Sequence, residues 1–510
     1  MGMGRLVPSP PLPSPPLPIA IPKNELEGQP ETEPRSSNRL TTMAQTQSQP
    51  RPHIAVLNFP FSTHASSVLS IIKRLAVSSP TALFTFFSTP QSNKALFSTG
   101  QQRHLPSNVK PYDVSDGVPE GHVFSGKRQE DIELFMNAAD ANFRKAVEAA
   151  VAETGRPLTC LVTDAFIWFA AEMAREWNNV PWVPCWPAGP NSLSAHLYTD
   201  IIRDKIGTQS QNQDQQLIHF IPGMNKIRVA DLPEGVVSGD LDSVFSVMLH
   251  QMGRQLPKAA AVFINSFEEL DPELTNHLKT KFNNKFLSVG PFKLLLASDQ
   301  QPSSATDLDD EYGCLAWLDK QKKKPASVAY VSFGTVATPS PNEIVAIAEA
   351  LEASKVPFIW SLRHRSQANL PNGFLERTRS DGIVVDWATQ VNVLAHEAVG
   401  VFVTHCGWGS ILESIAAGVP MIGRPFFGDQ RINGRMMEQI WGVGIAVDGG
   451  GICTKEGLLS SLDLILCQEK GIKIREKVTK LKQLCQNAIG PGGSSMQNLD
   501  ALVDMISRSY

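Results

Sequence analysis

The chain reads as an α/β protein made of two parallel-sheet domains that face one linker. Three observations predict this. Short apolar strands alternate with helical patterns from His53 onward, a polar and weakly patterned stretch runs from Leu296 to Tyr312, and a second alternation of the same kind follows it. Taken in order, Ile54 to Pro60 is an apolar strand that ends in a polar turn. Val68, Leu69, Ile71, Ile72 and Leu75 then recur at helical spacing. Ala82 to Ser88, Cys160 to Thr163 and Pro181 to Pro184 read as further buried strands, and Glu130 to Thr154 as a long helix between them. In the second half, strands are expected at Ser327 to Phe333, Pro357 to Leu362, Gly382 to Asp386, Val399 to Thr404 and from Val419 to Gly423. After the turn Gly490 to Gly493, Leu499, Leu502, Val503 and Ile506 lie on one face of a final helix.

Composition narrows the function classes. The 510 residues carry 46 Lys plus Arg against 50 Asp plus Glu, a net charge of −4, so no concentrated basic face is available for a nucleic acid. Seven cysteines, odd in number and without any CxxC pair, suggest neither a disulfide framework nor a zinc site, and fit a reducing, cytoplasmic setting. The most apolar stretch, Leu161 to Ala174, is interrupted by Asp164 and Glu172, so no membrane insertion is expected. Residues 1–50 hold eleven of the 37 prolines and no aromatic residue, and are expected to be a disordered extension. Their four glutamates argue against a transit peptide, and Met43 offers a second possible start.

In open α/β sheets, ligands bind beyond the carboxyl ends of strands, so strand ends are where chemistry is sought. The richest one is Val403 to Ser414, where a buried strand breaks into His405, Cys406, Gly407, Trp408 and Gly409 before a helix. Glycines allow close backbone approach, and the new helix offers unpaired N–H groups to a phosphate, with His405 and Ser410 as added donors. Glu413, one turn on, can accept hydrogen bonds from sugar hydroxyls. In the first half, His64 stands just past the first strand and Asp164 ends a later one on the same rim of the sheet. A carboxylate that orients an imidazole and stabilises its protonated form is a general-base arrangement, here without a serine nucleophile.

The 44-residue window Trp387 to Gln430, WATQVNVLAHEAVGVFVTHCGWGSILESIAAGVPMIGRPFFGDQ, resembles the donor-binding signature of the plant family 1 UDP-glycosyltransferases. The resemblance extends over nearly the whole chain from Met43. It is closest to the flavonoid and anthocyanidin 3-O-glucosyltransferases through Phe59 to His64, Tyr112 to Gly121, Gln129 to Phe135, Asp164 to Phe169, Ala188 to Ser194, Phe263 to Leu270 and Arg424 to Arg431. It implies two facing Rossmann-like domains of the GT-B type, with the C-terminal helix packing back toward the N-terminal domain. The implied division is an acceptor-binding domain over residues 51–295, a linker over 296–315, a UDP-sugar-binding domain over 316–490 and a terminal helix over 491–510.

The same resemblance implies roles. Trp387 stacks on uracil, Ala388 and Gln390 meet its edge, and Glu413 holds the ribose. Thr335, His405 and Ser410 hold the diphosphate, with Trp408 and Gly409 beside them in the donor turn. Asp429 and Gln430 read the sugar hydroxyls. His64 is the base and Asp164 its partner, while Ser62, Gln129 and His196 contact a planar polyphenol, with Phe124, Phe135 and Phe426 shaping the cleft. The implied reaction is inverting transfer of a hexose, glucose first, to a flavonoid or anthocyanidin hydroxyl, with the 3-hydroxyl expected and a role in anthocyanin formation. UDP-sugar is a co-substrate, no cofactor or metal is expected, and a monomer suffices.

Two departures stand out. Gly409 replaces the family's usual Asn, which removes one side-chain donor worth on the order of 1 kcal/mol. Pro187 replaces a Thr whose hydroxyl touches the sugar, and no arginine beside Trp186 is available to pair with a uronate. Thr389, in place of a common Pro, is expected to matter little. Gln430 favours glucose over galactose by analogy. The competing expectations are a transferase using galactose or acting on other phenols or terpenoids, and a binding protein with little turnover. A nicotinamide enzyme is disfavoured because Gly442 to Val447 lacks the third glycine of a dinucleotide turn and opens no helix.

Overall fold

The computed structural model describes residues 51–98, 105–127, 129–208, 214–297, 310–322 and 324–508. The expected extension over 1–50 and most of the expected linker lie outside them.

Seven parallel strands form the first sheet: β1 His53–Leu57, β2 Leu83–Ser88, β3 Val109–Asp113, β4 Cys160–Asp164, β5 Trp182–Trp186, β6 Val262–Ile264 and β7 Phe286–Ser288. Their order is β3-β2-β1-β4-β5-β6-β7. Six more form the second: β8 Val328–Ser332, β9 Phe358–Ser361, β10 Gly382–Val385, β11 Val399–Thr404, β12 Met421–Gly423 and β13 Gly444–Ala446, in the order β10-β9-β8-β11-β12-β13. Each sheet reverses its order once, between β1 and β4 in the first and between β8 and β11 in the second. These are the two topological switch points.

The central strands are buried on both faces, which is why they read as continuous apolar runs. Ile54 and Val56 point to one side of the first sheet, where Val68, Leu69, Ile71, Ile72 and Leu75 of the helix His64–Ser78 cover them. Ala55 and Leu57 point to the other, against Phe135 and Phe143 of the helix Glu130–Thr154. That helix has the predicted bounds, and Gly155, at φ 63°, ends it. In the second sheet, Val331, Trp360 and Val403 pack on Ile344, Ile347 and Leu351 of the helix Pro341–Ser354. That helix starts with a Ser340/Glu343 capping box and a proline at its first turn.

The expected return of the C-terminal helix is present. Ser494–Ile506 lays Leu499, Leu502 and Ile506 into the core under the first sheet, all at most 1% exposed. Burying each contributes about 1.5–3 kcal/mol. Asn498 fixes the register by donating to Glu268 Oε1 at 2.7 Å and to the Ser288 carbonyl at 3.0 Å. The turn before it needs glycine, because a Cβ at Gly493 would lie 2.1 Å from the Asn487 carbonyl oxygen. A further core joins the halves, with Ala195, Ile202 and Phe267 packed into the same cluster as Phe402, Trp408 and Ile411.

Candidate active site

The first switch point brings together residues far apart in the chain. The loop after β1 turns through Ser62 in the left-handed region, at φ 57°, and the helix His64–Ser78 begins at once. Asp164 closes the neighbouring strand β4. Its Oδ2 lies 2.7 Å from His64 Nδ1, and its Oδ1 accepts the Phe166 N–H at 2.9 Å. The carboxylate is fully buried and doubly anchored, whereas the His64 side chain is 18% exposed. With Nδ1–H donating to Asp164, Nε2 is left as the proton acceptor.

An aromatic wall surrounds this imidazole. Phe166 lies 4.5 Å and Phe59 5.1 Å from it, centroid to centroid. Phe61, Phe135, Trp186 and Phe245 continue the surface. Phe135 belongs to the helix Glu130–Thr154, so its packing on Phe59 and Phe61 draws the start of that helix, and Gln129 before it at φ 66°, toward the same wall. Ser62 is exposed in the loop. His196 is buried edge-on to Trp186, 5.9 Å away. Burial, helped by the neighbouring His250, pushes its imidazole down to about 4. Of the three aromatic residues expected in the cleft, Phe135 is part of the wall, Phe124 is half exposed, and Phe426 packs instead on Phe333 and beneath Arg424.

The second switch point carries a different chemistry. His405 follows β11, and its ring fits only because Gly334 and Gly407 flank it. A Cβ on the first would come within 2.8 Å of the ring, and on the second within 2.3 Å. Cys406 takes the left-handed conformation at φ 62°, which turns the chain sharply into the helix Trp408–Ala417. Among the described residues His405 Nδ1 is buried without a partner, and burial pushes the imidazole down to about 4, so the ring is neutral near pH 7. The N-cap of the helix that follows is Gly407, and among the described residues no side chain caps it, which leaves its first N–H groups open toward the turn. Thr335 stands past β8 on the same rim and accepts from Arg363 through its carbonyl at 2.9 Å.

Hydrogen bonds tie the remaining donor-side candidates together. Gln390 Nε2 donates to Ser410 Oγ at 3.0 Å and to Glu413 Oε2 at 2.8 Å, while Tyr330 O–H reaches Gln390 Oε1 at 3.4 Å. Trp387 is half exposed, next to the buried Ala388. Burial raises the Asp429 carboxyl, while the Asn433 hydrogen bond at 2.9 Å and the field of His64 draw it back. A Cβ at Gly189, just past β5, would lie 2.8 Å from the Trp408 ring and 3.3 Å from Asn433 Oδ1, so the rims of the two sheets meet here. Gln430 holds its own loop, since its Oε1 accepts from the N–H groups of Phe426 at 2.8 Å and Phe427 at 3.3 Å, leaving its amide N–H groups.

Two expected residues stand differently from their neighbours. Trp408 is buried between the halves, its indole N–H donating to the Asn265 carbonyl at 2.7 Å and its ring against Gly189. Its side chain therefore joins the two halves rather than facing the turn. Gly409 is exposed, and a Cβ there would meet nothing within 4 Å. Sequence reasoning missed Asn433, which bridges Asp429 and the Cys406 carbonyl. Its spacing four residues from Asp429 at a helix start was the available signal. It also missed Lys293 and Asn265, whose partners lie 120 and 143 residues away. Among the described residues no helix is long and apolar enough to cross a membrane.

Residues 94–487 match the sequence profile of a family described as UDP-glucoronosyl and UDP-glucosyl transferase. The chain is 56% identical over 464 residues to an anthocyanidin 3-O-glucosyltransferase of Vitis vinifera, covering 91% of this chain and 99% of that protein. It is 51% identical over 464 residues to an anthocyanidin 3-O-galactosyltransferase of Actinidia chinensis var. chinensis, covering 91% and 98%. A crystal structure of a UDP-glucose:anthocyanidin 3-O-glucosyltransferase in complex with UDP superposes with a TM-score of 0.81 at 42% identity, covering 90% of this chain and 99% of that one.

Proposed function

This chain belongs to the UDP-glucoronosyl and UDP-glucosyl transferase family and is a UDP-dependent glycosyltransferase; from that premise we propose that it transfers glucose from UDP-glucose to the 3-hydroxyl of a flavonoid or anthocyanidin, with inversion. The observation that carries this reading is the His64–Asp164 pair, held at 2.7 Å in an aromatic wall at the first switch point. A flat polyphenol suits that wall, which comes entirely from residues 51–295, and Ser62, Gln129 and His196 supply polar contacts at its margin. His64 Nε2 takes the proton of the acceptor hydroxyl as that oxygen attacks the anomeric carbon. The bond from that carbon to the diphosphate oxygen breaks on the opposite face. UDP leaves, and a β-glycoside remains.

The donor is assigned to the half over residues 316–490. Trp387 offers its indole face to uracil, Ala388 and Gln390 meet the base edge, and Glu413 takes the ribose. The open N–H groups at the start of Trp408–Ala417, together with Ser410, Thr335 and neutral His405, meet the charge that grows on the leaving diphosphate. Asp429 and the amide N–H groups of Gln430 read the sugar hydroxyls. Glucose is preferred on the strength of Gln430, with Pro187 offering no hydroxyl to the sugar. The reading asks for no metal ion, for one chain per site, and for action in the cytoplasm, where the free cysteines, six of the seven buried, stay reduced.

The test is a mass-spectrometric assay of purified protein with quercetin and cyanidin, each with UDP-glucose, UDP-galactose or UDP-glucuronate, in the presence of a chelator. The expected result is a monohexoside formed fastest from UDP-glucose. No product from any donor, with UDP still bound, would overturn the assignment of acceptor class.

A further inference from the structure

Glu413 is held from both halves of the molecule. Its Oε2 accepts from Gln390 at 2.8 Å, and its Oε1 from Lys293 Nζ at 2.5 Å. Lys293 lies on the short helix Phe292–Ala297 that follows β7, 120 residues from its partner. The approach is built into the fold. Asn265 Oδ1 accepts the Phe292 N–H at 2.9 Å, and the carbonyl of the same Asn265 accepts the Trp408 indole N–H at 2.7 Å. One residue thus anchors the starts of both helices, the one that carries Lys293 and the one that carries Glu413. The Glu413 side chain is 10% exposed and that of Lys293 60%.

A carboxylate offers about four lone-pair positions, two on each oxygen. Gln390 occupies one on Oε2 and Lys293 one on Oε1, which leaves one open on each. Two adjacent acceptors on one rigid carboxylate match the paired O–H groups of a cis-diol. We propose that Lys293 is a positioning residue of the donor site: it orients and charge-balances Glu413 so that the ribose diol binds through both oxygens, and it makes nucleotide affinity depend on the N-terminal half. This rests on the reading that Glu413 holds the ribose. An ion pair with one exposed partner adds little to folding, so the contribution of Lys293 falls on the ligand rather than on stability.

The test compares Lys293→Met, Lys293→Arg and Glu413→Gln with the parent chain. Calorimetry measures binding of UDP and of 2′-deoxy-UDP, and kinetics measure KM for UDP-glucose. Lys293→Met is expected to weaken UDP and raise that KM by about three- to tenfold, with the loss in KM rather than kcat. It should change 2′-deoxy-UDP binding by less than about twofold, and Lys293→Arg should restore most of the UDP affinity. Unchanged UDP binding, or equal weakening of both nucleotides, would overturn the proposal. Glu413→Gln separates the two levels. If it leaves the preference for UDP over 2′-deoxy-UDP intact, the ribose assignment itself fails. If it removes that preference while Lys293→Met does not, only the role of Lys293 fails.

Discussion

A histidine in a loop acquires a mechanism only through what fixes it. His64 is fixed by Asp164, whose two oxygens are both committed, so the ring tautomer is set before any substrate arrives. Replacing His64 with Ala should lower kcat by about two to four orders of magnitude while UDP affinity, measured by calorimetry, stays near the parent value. Asp164→Asn should also be severely impaired, and the double variant no worse than His64→Ala alone, because the two side chains act as a unit. Additive losses would mean that the residues act separately. Two candidate positions, Ser62 and Gln129, together with Cys406 in the donor turn, hold left-handed backbone without being glycine, a conformation that costs energy and tends to collect where a site must be shaped.

The helix Trp408–Ala417 shows what a single element lends to the site. Its second position, Gly409, points into open space, so Gly409→Asn can add a donor at the donor turn without displacing a neighbour. That variant is expected to lower KM for UDP-glucose by several-fold, on the order of 1 kcal/mol, at an unchanged thermal midpoint. An unchanged KM would mean that the backbone already meets the diphosphate. Much of this element was legible in the sequence, because a buried strand breaking into glycines before a helix is a local pattern. The same holds for the helix Glu130–Thr154 and for the strands that are apolar throughout. Three of the four three-residue strands among the described residues were not legible, because Val262–Ile264, Phe286–Ser288 and Gly444–Ala446 are too short to show a period, whereas Met421–Gly423 showed as part of the apolar run from Val419. Val109–Asp113 escaped because only Val109 of its five residues is buried. Contacts such as Lys293–Glu413 and Trp408–Asn265 leave no local trace, since they arise only when the halves meet.

The whole molecule carries buried groups whose protonation couples to folding. Burial pushes His196 and His405 down to about 4, against an ordinary value of 6.5. The unfolded chain therefore takes up protons before the folded one. The stability these rings support is complete above pH 6.5 and is lost as the pH falls toward 4, by up to about 3 kcal/mol for each. Asp271 works the other way: burial raises its carboxyl to about 6, so its ionisation costs stability as the pH rises from about 4 to 6 and offsets part of the loss. Asp429, raised by burial, opposes the rings as Asp271 does, and the ring contribution is read as a difference: the thermal midpoint should fall less, or rise more, between pH 7 and 5 in His196→Gln than in the parent chain. A profile in His196→Gln identical to that of the parent chain would mean that this ring is not held neutral. The final helix has a bearing on how such a chain is made. Leu499, Leu502 and Ile506 close the core beneath a sheet that opens at His53, so the first sheet to leave the ribosome is the last to be sealed. Until the helix Ser494–Ile506 has emerged, the nascent protein displays an apolar floor that a chaperone can recognise and that a stop before this helix would leave bare.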